Sequence, residues 1–269
     1  ILDQNAPTQR LLRLVDMIGH QCQRLARVGD RQQVVEIGAA MSRPRQMLRH
    51  EARPVTTLQR RQSHQMFAVD PLRRAELMRS LGFDEDAIVV GYVGRMYFTK
   101  GIFVLLDALQ GAMEQEPRLR CLWLGDGPGL PELRERIAAG SHADRHRVLG
   151  WIDDATPYYS VMAMLAFPST LAEAFGRASA EAQAAGVPVL VADLGGAVET
   201  LDPGRTGLLL PPGDANALRE GILRLCDPAV RDPMAAAASD FVARSFGSEA
   251  IAQEFVRAIE ASVRPGSGG

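Results

Sequence analysis

Two cations and two carboxylates stand out by type and spacing. Lys100 is the single lysine among 30 basic residues, the other 29 being arginine. In a chain that writes its cations as arginine, a retained lysine marks a place that needs a compact ammonium instead of a planar fork, as a crowded phosphate pocket does. It lies near the end of GYVGRMYFTKG (91–101), five residues after Arg95. Arg95 can fork two oxygens while Lys100 supplies a point charge. Together they suit a diphosphate and could stabilise charge that builds on a leaving phosphate. The bland alternative is a solvated pair in a loop, which the sole lysine disfavours.

The carboxylates are Glu173 and Glu181, in PSTLAEAFGRASAEAQAAGVPVL (168–190). Eight steps at ~100° per residue come to about 80° beyond two turns, so on one continuous helix they would not share a face. Glu173 is therefore expected in a loop. With a helix beginning near Gly176, free backbone N–H groups point at the same cleft, Glu181 falls in the second turn, and an anionic ligand is favoured there. Each carboxylate could accept hydrogen bonds from vicinal hydroxyls of a polyhydroxylated ligand; the alternative is two solvent-facing helix acids. Two glycine turns accompany them. LGDGPG (124–129) would need a third glycine where Leu130 stands to match a dinucleotide fingerprint, so it reads equally as a close approach for a ligand or an ordinary strand-to-helix turn. DLGGAVETL (193–201), with Glu199, offers another backbone amide surface.

All four segments follow short apolar runs, the place where open parallel sheets bind ligands. Candidate strands are 87–93, 120–125, 147–150, 163–167, 187–192 and 207–210, alternating with helix patterns at 102–115, 130–140, 178–186 and 215–226. Gly140 and Gly186 punctuate helix ends, and Asp214 can cap the helix that follows PPGD. The pattern is that of a doubly wound parallel α/β sheet. Before it, a helical stretch near Gln9–Val28, one strand at Val34–Gly38 and an Arg-rich segment are too little for a second such domain. After Pro233 the chain is Ala-rich and helical, then ends in a tail, RPGSGG, expected to be disordered.

In this order and spacing, GR...KG (94–101), GDGP (125–128), LGW (149–151), PS (168–169), EAFG...E (173–181), AAGVPV (184–189), GG..E (195–199) and TGLLLPPGD (206–214) resemble the carboxyl-terminal, donor-binding domain of family 4 glycosyltransferases. These are retaining enzymes of the GT-B fold, and the resemblance covers roughly Ile88 to Cys226. It implies a Rossmann-like nucleotide-sugar-binding domain at 66–240, a remnant of the amino-terminal domain and linker at 1–65, and a carboxyl-terminal helix and flexible tail at 241–269. By the same resemblance Gly94, Arg95 and Lys100 hold the diphosphate, and Glu173 holds the transferred sugar's hydroxyls. Ala174, Phe175, Gly176 and Arg177 line the donor, and Glu181 takes the ribose. Gly125, Asp126 and Gly127, with Leu149, Gly150 and Trp151, flank the base. Arg95, Lys100 and Glu173 are the catalytic set. Arg177 and Gln183 depart from the apolar or small residues usual at their positions, and RRQSHQMF (60–67) keeps only Phe67 of a common turn. Both Arg177 and Gln183 are expected to bear on donor choice.

The implied partners are a nucleotide-sugar donor and a glycan, lipid-linked or small-molecule acceptor, the latter held by an amino-terminal domain of which little is expected here. No cofactor, metal or nucleic acid is expected: His142 and His146 stand four apart without a third ligand. With 269 residues, 46% hydrophobic and 23% charged, the chain reads as an ordinary globular protein, and no apolar run approaches the ~18 residues of a membrane span. Three scattered cysteines exclude a disulfide framework and make the cytosol the expected compartment. The first 80 residues hold 14 Arg against 7 acids, a balance of +7 beside −9 for the remainder. A solvated helical face is the preferred reading, and peripheral contact with acidic headgroups at the inner face of the membrane is the sharper one. Other classes weighed are a non-catalytic nucleotide-sugar-binding or regulatory module and a GT-B-fold sugar-nucleotide epimerase. A nicotinamide oxidoreductase is disfavoured by Leu130.

Overall fold

Six apolar runs form six strands of one parallel sheet: β1 (Ile88–Val93), β2 (Leu119–Leu124), β3 (His146–Gly150), β4 (Met164–Phe167), β5 (Val189–Ala192) and β6 (Gly207–Leu210), in the order β3-β2-β1-β4-β5-β6. The computed structural model describes residues 71–247, 249–253 and 256–257. The helix expected at 9–28, the strand at 34–38, segment 60–67 and the glycine-rich tail lie outside the described residues. α1 (Pro71–Ser80) precedes the sheet; α2 (Ile102–Gln115), α3 (Leu130–Ala139), the short α4 (Thr156–Tyr159) and α5 (Arg177–Ala184) run between the strands; and α6 (Ala215–Cys226) and α7 (Pro228–Phe246) follow β6. All pairings are parallel, from Ile88 opposite Leu119 to Ala192 opposite Leu210.

The strands are short, and β1, β2, β4 and β5 are almost wholly buried because both faces of the sheet are covered, while the edge strands β3 and β6 are partly buried. Alternate side chains part to opposite sides. Ile88, Val90, Tyr92, Cys121, Trp123, Met164 and Leu190 pack under α2, α3 and α6. Val89, Leu122, Leu124, Leu165, Val189 and Val191 meet Met78 of α1, Tyr159 of α4, Met162, Ala182 of α5 and Ala197. Gly91 in β1 is filled by Met162, whose sulfur would lie 2.1 Å from a Cβ there. Asp214 caps α6 as its position suggests, its carboxylate accepting from the N–H groups of Asn216 and Ala217 at 2.9 and 3.0 Å.

α1 and α4 have no counterpart among the expected helix patterns, and one expected helix differs in its start. α7 begins at Pro228, not after Pro233, and runs through Pro233. Asp227 explains the early start: its carboxylate accepts from Ala229 N–H at 2.8 Å and its carbonyl from Val230 and Arg231, so the first turn is closed before the missing N–H of Pro233 matters.

Within the sheet a buried indole holds a titratable imidazole. Trp123, fully buried on β2, donates its indole N–H to His146 Nδ1 on β3 at 3.1 Å. Burial, then the positive charge of His142, pushes the His146 imidazole down to about 4. The unfolded chain therefore binds a proton between about pH 6.5 and 4 that the folded protein refuses, and stability falls as pH drops through that window. Denaturant titrations at pH 7 and pH 4.5 should show a loss of up to about 3 kcal/mol from this group, and His146→Gln should flatten that pH dependence.

Candidate functional site

Because every strand points the same way, the loops after all six gather at one edge. The chain leaves β1 toward β2 and β4 toward β5, so the crossovers part between β1 and β4 and open a crevice there. The β1 loop enters it as a single 3₁₀ turn, Phe98–Lys100, ended by Gly101 at φ 71°. The β4 loop enters opposite as Pro168–Gly176. They touch through backbone: Thr170 N–H donates to the Thr99 carbonyl at 2.9 Å, and a Cβ on Gly101 would come within 1.9 Å of the Pro168 carbonyl oxygen. Only glycine closes this approach.

The approach brings Lys100 to Glu173. The ammonium pairs with Glu173 Oε1, which also accepts from the Ser169 hydroxyl at 2.6 Å. The pair is partly sheltered, with side-chain exposures of 22% and 16%. Glu173 is pinned from a third loop as well, since its carbonyl accepts from Gly196 N–H at 2.7 Å and its backbone bridges Gly195. Thus the GG turn after β5 serves as a strut under Glu173, while Glu199 on that turn is exposed. Beneath the β1 loop, Tyr92 donates from its phenol to the Arg95 carbonyl at 2.9 Å. Burial, reinforced by the negative charge of Glu173 and opposed by Arg95, holds that phenol well above its ordinary value, so it remains a donor. Arg95 itself is exposed, its guanidinium 5.1 Å from the Tyr97 ring centre.

Glu181 lies in α5, which starts directly after Gly176 as expected. Tyr159, buried in α4, donates to Oε2 at 3.0 Å, and Arg177, one turn earlier, stands 3.7 Å from Oε1. Ala174 is exposed, Phe175 half-buried and Gly176 buried. The β2 and β3 turns form a neighbouring wall. Gly125 N–H donates to the Gly150 carbonyl at 2.7 Å, and Asp126 binds its own loop through Gly127 N–H at 2.7 Å and, by its carbonyl, Met96 N–H. A Cβ on Gly125 would stand 1.7 Å from the Gly94 carbonyl oxygen, so the protein's own β1 loop occupies the close approach at that glycine. Leu149 is half-buried and Trp151 is 70% exposed, its indole donating to Asp153 at 3.0 Å.

Gln183 turns away from the crevice. It is fully buried, donates to the Thr200 carbonyl and reaches Ser179, clamping α5 to the 3₁₀ turn at Gly196–Thr200. That placement gives it a packing role, in contrast to the bearing on donor choice expected from its position in the sequence. Reading the sequence did not single out Ser169, Tyr92 and Tyr159 as site residues. The tyrosines sit within or beside apolar runs and look like core; the Tyr92 hydroxyl finds its partner three residues on, at the Arg95 carbonyl, and the Tyr159 hydroxyl meets Glu181 across 22 positions.

Comparison with known proteins bears on this arrangement. A family profile, glycosyl transferases group 1, matches residues 87–227, more than half of the chain. The chain belongs to this family. D-inositol 3-phosphate glycosyltransferase of Kribbella flavida is 32% identical over 68% of this chain and 46% of its own length. Phosphatidyl-myo-inositol mannosyltransferase of Mycobacterium leprae is 33% identical over 62% and 45%. The chain thus spans about half the length of these curated relatives. Among solved structures, Anabaena HepE in complex with UDP and glucose superposes with a TM-score of 0.66 at 27% identity, covering 74% of this chain and 54% of that one. The carboxyl-terminal domain of a group 1 glycosyl transferase (LpcC) from Francisella tularensis is similar in fold, with a TM-score of 0.59 at 18% identity over 68% of this chain and 96% of that domain. The α/β sheet of this group 1 family member is therefore the Rossmann-like sheet of GT-B glycosyltransferases.

The crevice of this family member depends on the contact at Gly101. Gly101→Ala should destabilise the fold by about 2 kcal/mol or more in urea denaturation, since left-handed strain adds to a backbone clash. Gly213→Ala, at φ 74° with nothing within 4 Å of the new Cβ, should cost only about 1 kcal/mol.

Proposed function

We propose that this domain binds a nucleoside diphosphate sugar and supplies the donor side of a retaining glycosyl transfer to a glycan, lipid-linked or small-molecule acceptor. The observation that carries the proposal is the meeting of Lys100, Ser169 and Glu173 at the crevice between β1 and β4, with Glu181 on the helix that follows. Family membership and the UDP and glucose in the HepE complex support it. In this reading Arg95 and Lys100 take the diphosphate, Glu173 the sugar's hydroxyls and Glu181 the ribose. The turns at Gly125–Gly127 and Leu149–Trp151 flank the base. Residues 66–240 make up the donor-binding domain, and the acceptor is held by an amino-terminal domain.

In the transfer, the bond from the anomeric carbon to the diphosphate oxygen breaks, its electron pair leaving with the diphosphate. The acceptor oxygen bonds to the anomeric carbon with configuration kept, and its proton departs on the released diphosphate. Arg95 and Lys100 stabilise the charge that gathers on the leaving group, where a half-sheltered site strengthens their field. With the cations and the α5 amides present, no divalent metal is required for binding. Lys100 suits this work as an ammonium: the space between the two loops already holds Glu173 and Ser169 against it.

Calorimetric titration with UDP, GDP, ADP and their sugar conjugates tests the assignment. Binding should persist in EDTA. Glu181→Gln should weaken diphosphate and conjugate alike by about 1–3 kcal/mol, whereas Glu173→Gln should spare the bare diphosphate and weaken only the conjugate. Lys100→Arg should lower affinity although charge is kept. If both glutamine variants bind like the parent, or if affinity appears only with Mg²⁺, the assignment is wrong.

A further inference from the structure

Lys100 stands in a turn that the core does not hold. The Phe98–Lys100 segment is closed by Lys100 N–H to the Tyr97 carbonyl at 2.9 Å and Gly101 N–H to the Phe98 carbonyl at 3.0 Å, and none of its three side chains is buried. A lone 3₁₀ turn has little stability of its own, because its hydrogen-bond geometry is poor. Backbone contacts with the β4 loop hold Thr99 and Gly101. The entry to the turn, at Phe98, is held by a side chain instead.

Although Phe98 is 56% exposed, its ring lies against that of Phe103 in the first turn of α2, with centroids 5.5 Å apart and planes at 35°. Tilted rings at this separation attract one another. Phe103 is itself fixed twice, since it packs against the core beneath α2 and the Arg136 guanidinium of α3 stands 4.2 Å from its ring centre. That is cation–π distance. Glu132, one turn earlier on α3, accepts from Arg136 Nε at 3.0 Å and from Nη2 at 2.6 Å, which keeps the guanidinium over the ring. The series Glu132, Arg136, Phe103 and Phe98 thus runs from α3 across α2 to the turn that bears Lys100.

We propose that Phe98, Phe103 and Arg136 are positioning residues for Lys100, their ring contacts fixing the Phe98–Lys100 turn so that the ammonium faces Glu173 before any ligand arrives. The positioning stands on these contacts alone. Its consequence for a ligand, a cation preset where a diphosphate arrives, rests on the nucleotide reading above.

The single lysine makes the test direct, because lysine-selective ¹³C labelling of the full chain reports the Lys100 side chain alone. Glu173→Gln supplies the position of that signal without a carboxylate partner. Phe98→Ala and Phe103→Ala should move the Lys100 Cε signal toward this position, and Phe98→Tyr should leave it with the parent. The displacement by Phe98→Ala should largely vanish in the Glu173→Gln background, whereas a ring current acting directly on Lys100 would persist there. Thermal midpoints of the parent and Phe98→Ala should agree, since the ring is exposed. A signal unmoved by either alanine, or moved equally in both backgrounds, overturns the proposal; so does Phe98→Tyr displaced as far as alanine.

Calorimetry with UDP, GDP and ADP reads the consequence for binding. Phe98→Ala should weaken the best-bound diphosphate about fivefold, the scale of one aromatic pair, and should do nothing further once Lys100→Met is in place. Parent-like affinity of Phe98→Ala would overturn the link between turn and ligand. If none of the three diphosphates binds the parent, the nucleotide reading falls, and the Lys100 signal still decides the positioning.

Discussion

The pairing of Lys100 with Glu173 depends on two loops, from adjacent strands whose crossovers diverge, coming within backbone contact. A parallel sheet sends all its strand ends to one edge, and the order β3-β2-β1-β4-β5-β6 leaves β1 and β4 as the neighbours whose following helices go opposite ways. The Gly101–Pro168 approach narrows the gap between them until an ammonium and a carboxylate meet, with Ser169 as a second donor to the same oxygen. Much of the rest of the edge supports this point: Gly196 holds the Glu173 backbone and Tyr92 holds the Arg95 carbonyl.

The charged residues around the crevice divide by how firmly they are held. Glu173 and Glu181 each have one oxygen bound by a hydroxyl that is itself buried, Ser169 in one case and Tyr159 in the other. Their carboxylates are therefore oriented before any ligand arrives, which lowers the ordering that binding would demand. Arg95 and Arg177 are exposed and have weak partners, an aromatic face and a 3.7 Å ion pair. The acceptors at this edge are thus preset, while its two outer cations are loosely held.

The sheet and most of its helices were legible in the sequence because apolar runs of four to seven residues bounded by glycine and proline admit few alternatives to buried parallel strands. The eight-residue interval between Glu173 and Glu181 likewise forced one into a loop and one onto a helix, as found. Asp214 announced its cap by type and place. Pro233 misled, since a proline inside a helix pattern is read as a boundary unless the turn before it is closed from elsewhere, and Asp227 closes it. Gln183 misled too, because a polar residue amid alanines looks like a departure at the site when it is a clamp within the core.

By itself the sequence determined the fold class, the order of elements, the edge at which chemistry-bearing residues collect, and the family, because these follow from local periodicity and short motifs. Tertiary structure alone decided which of those residues touch. Lys100 and Glu173 are 73 positions apart and Tyr159 and Glu181 are 22 apart, and no local rule relates them. Their contacts are set by strand order and by a backbone approach that only a missing Cβ permits, and both are properties of the packed sheet.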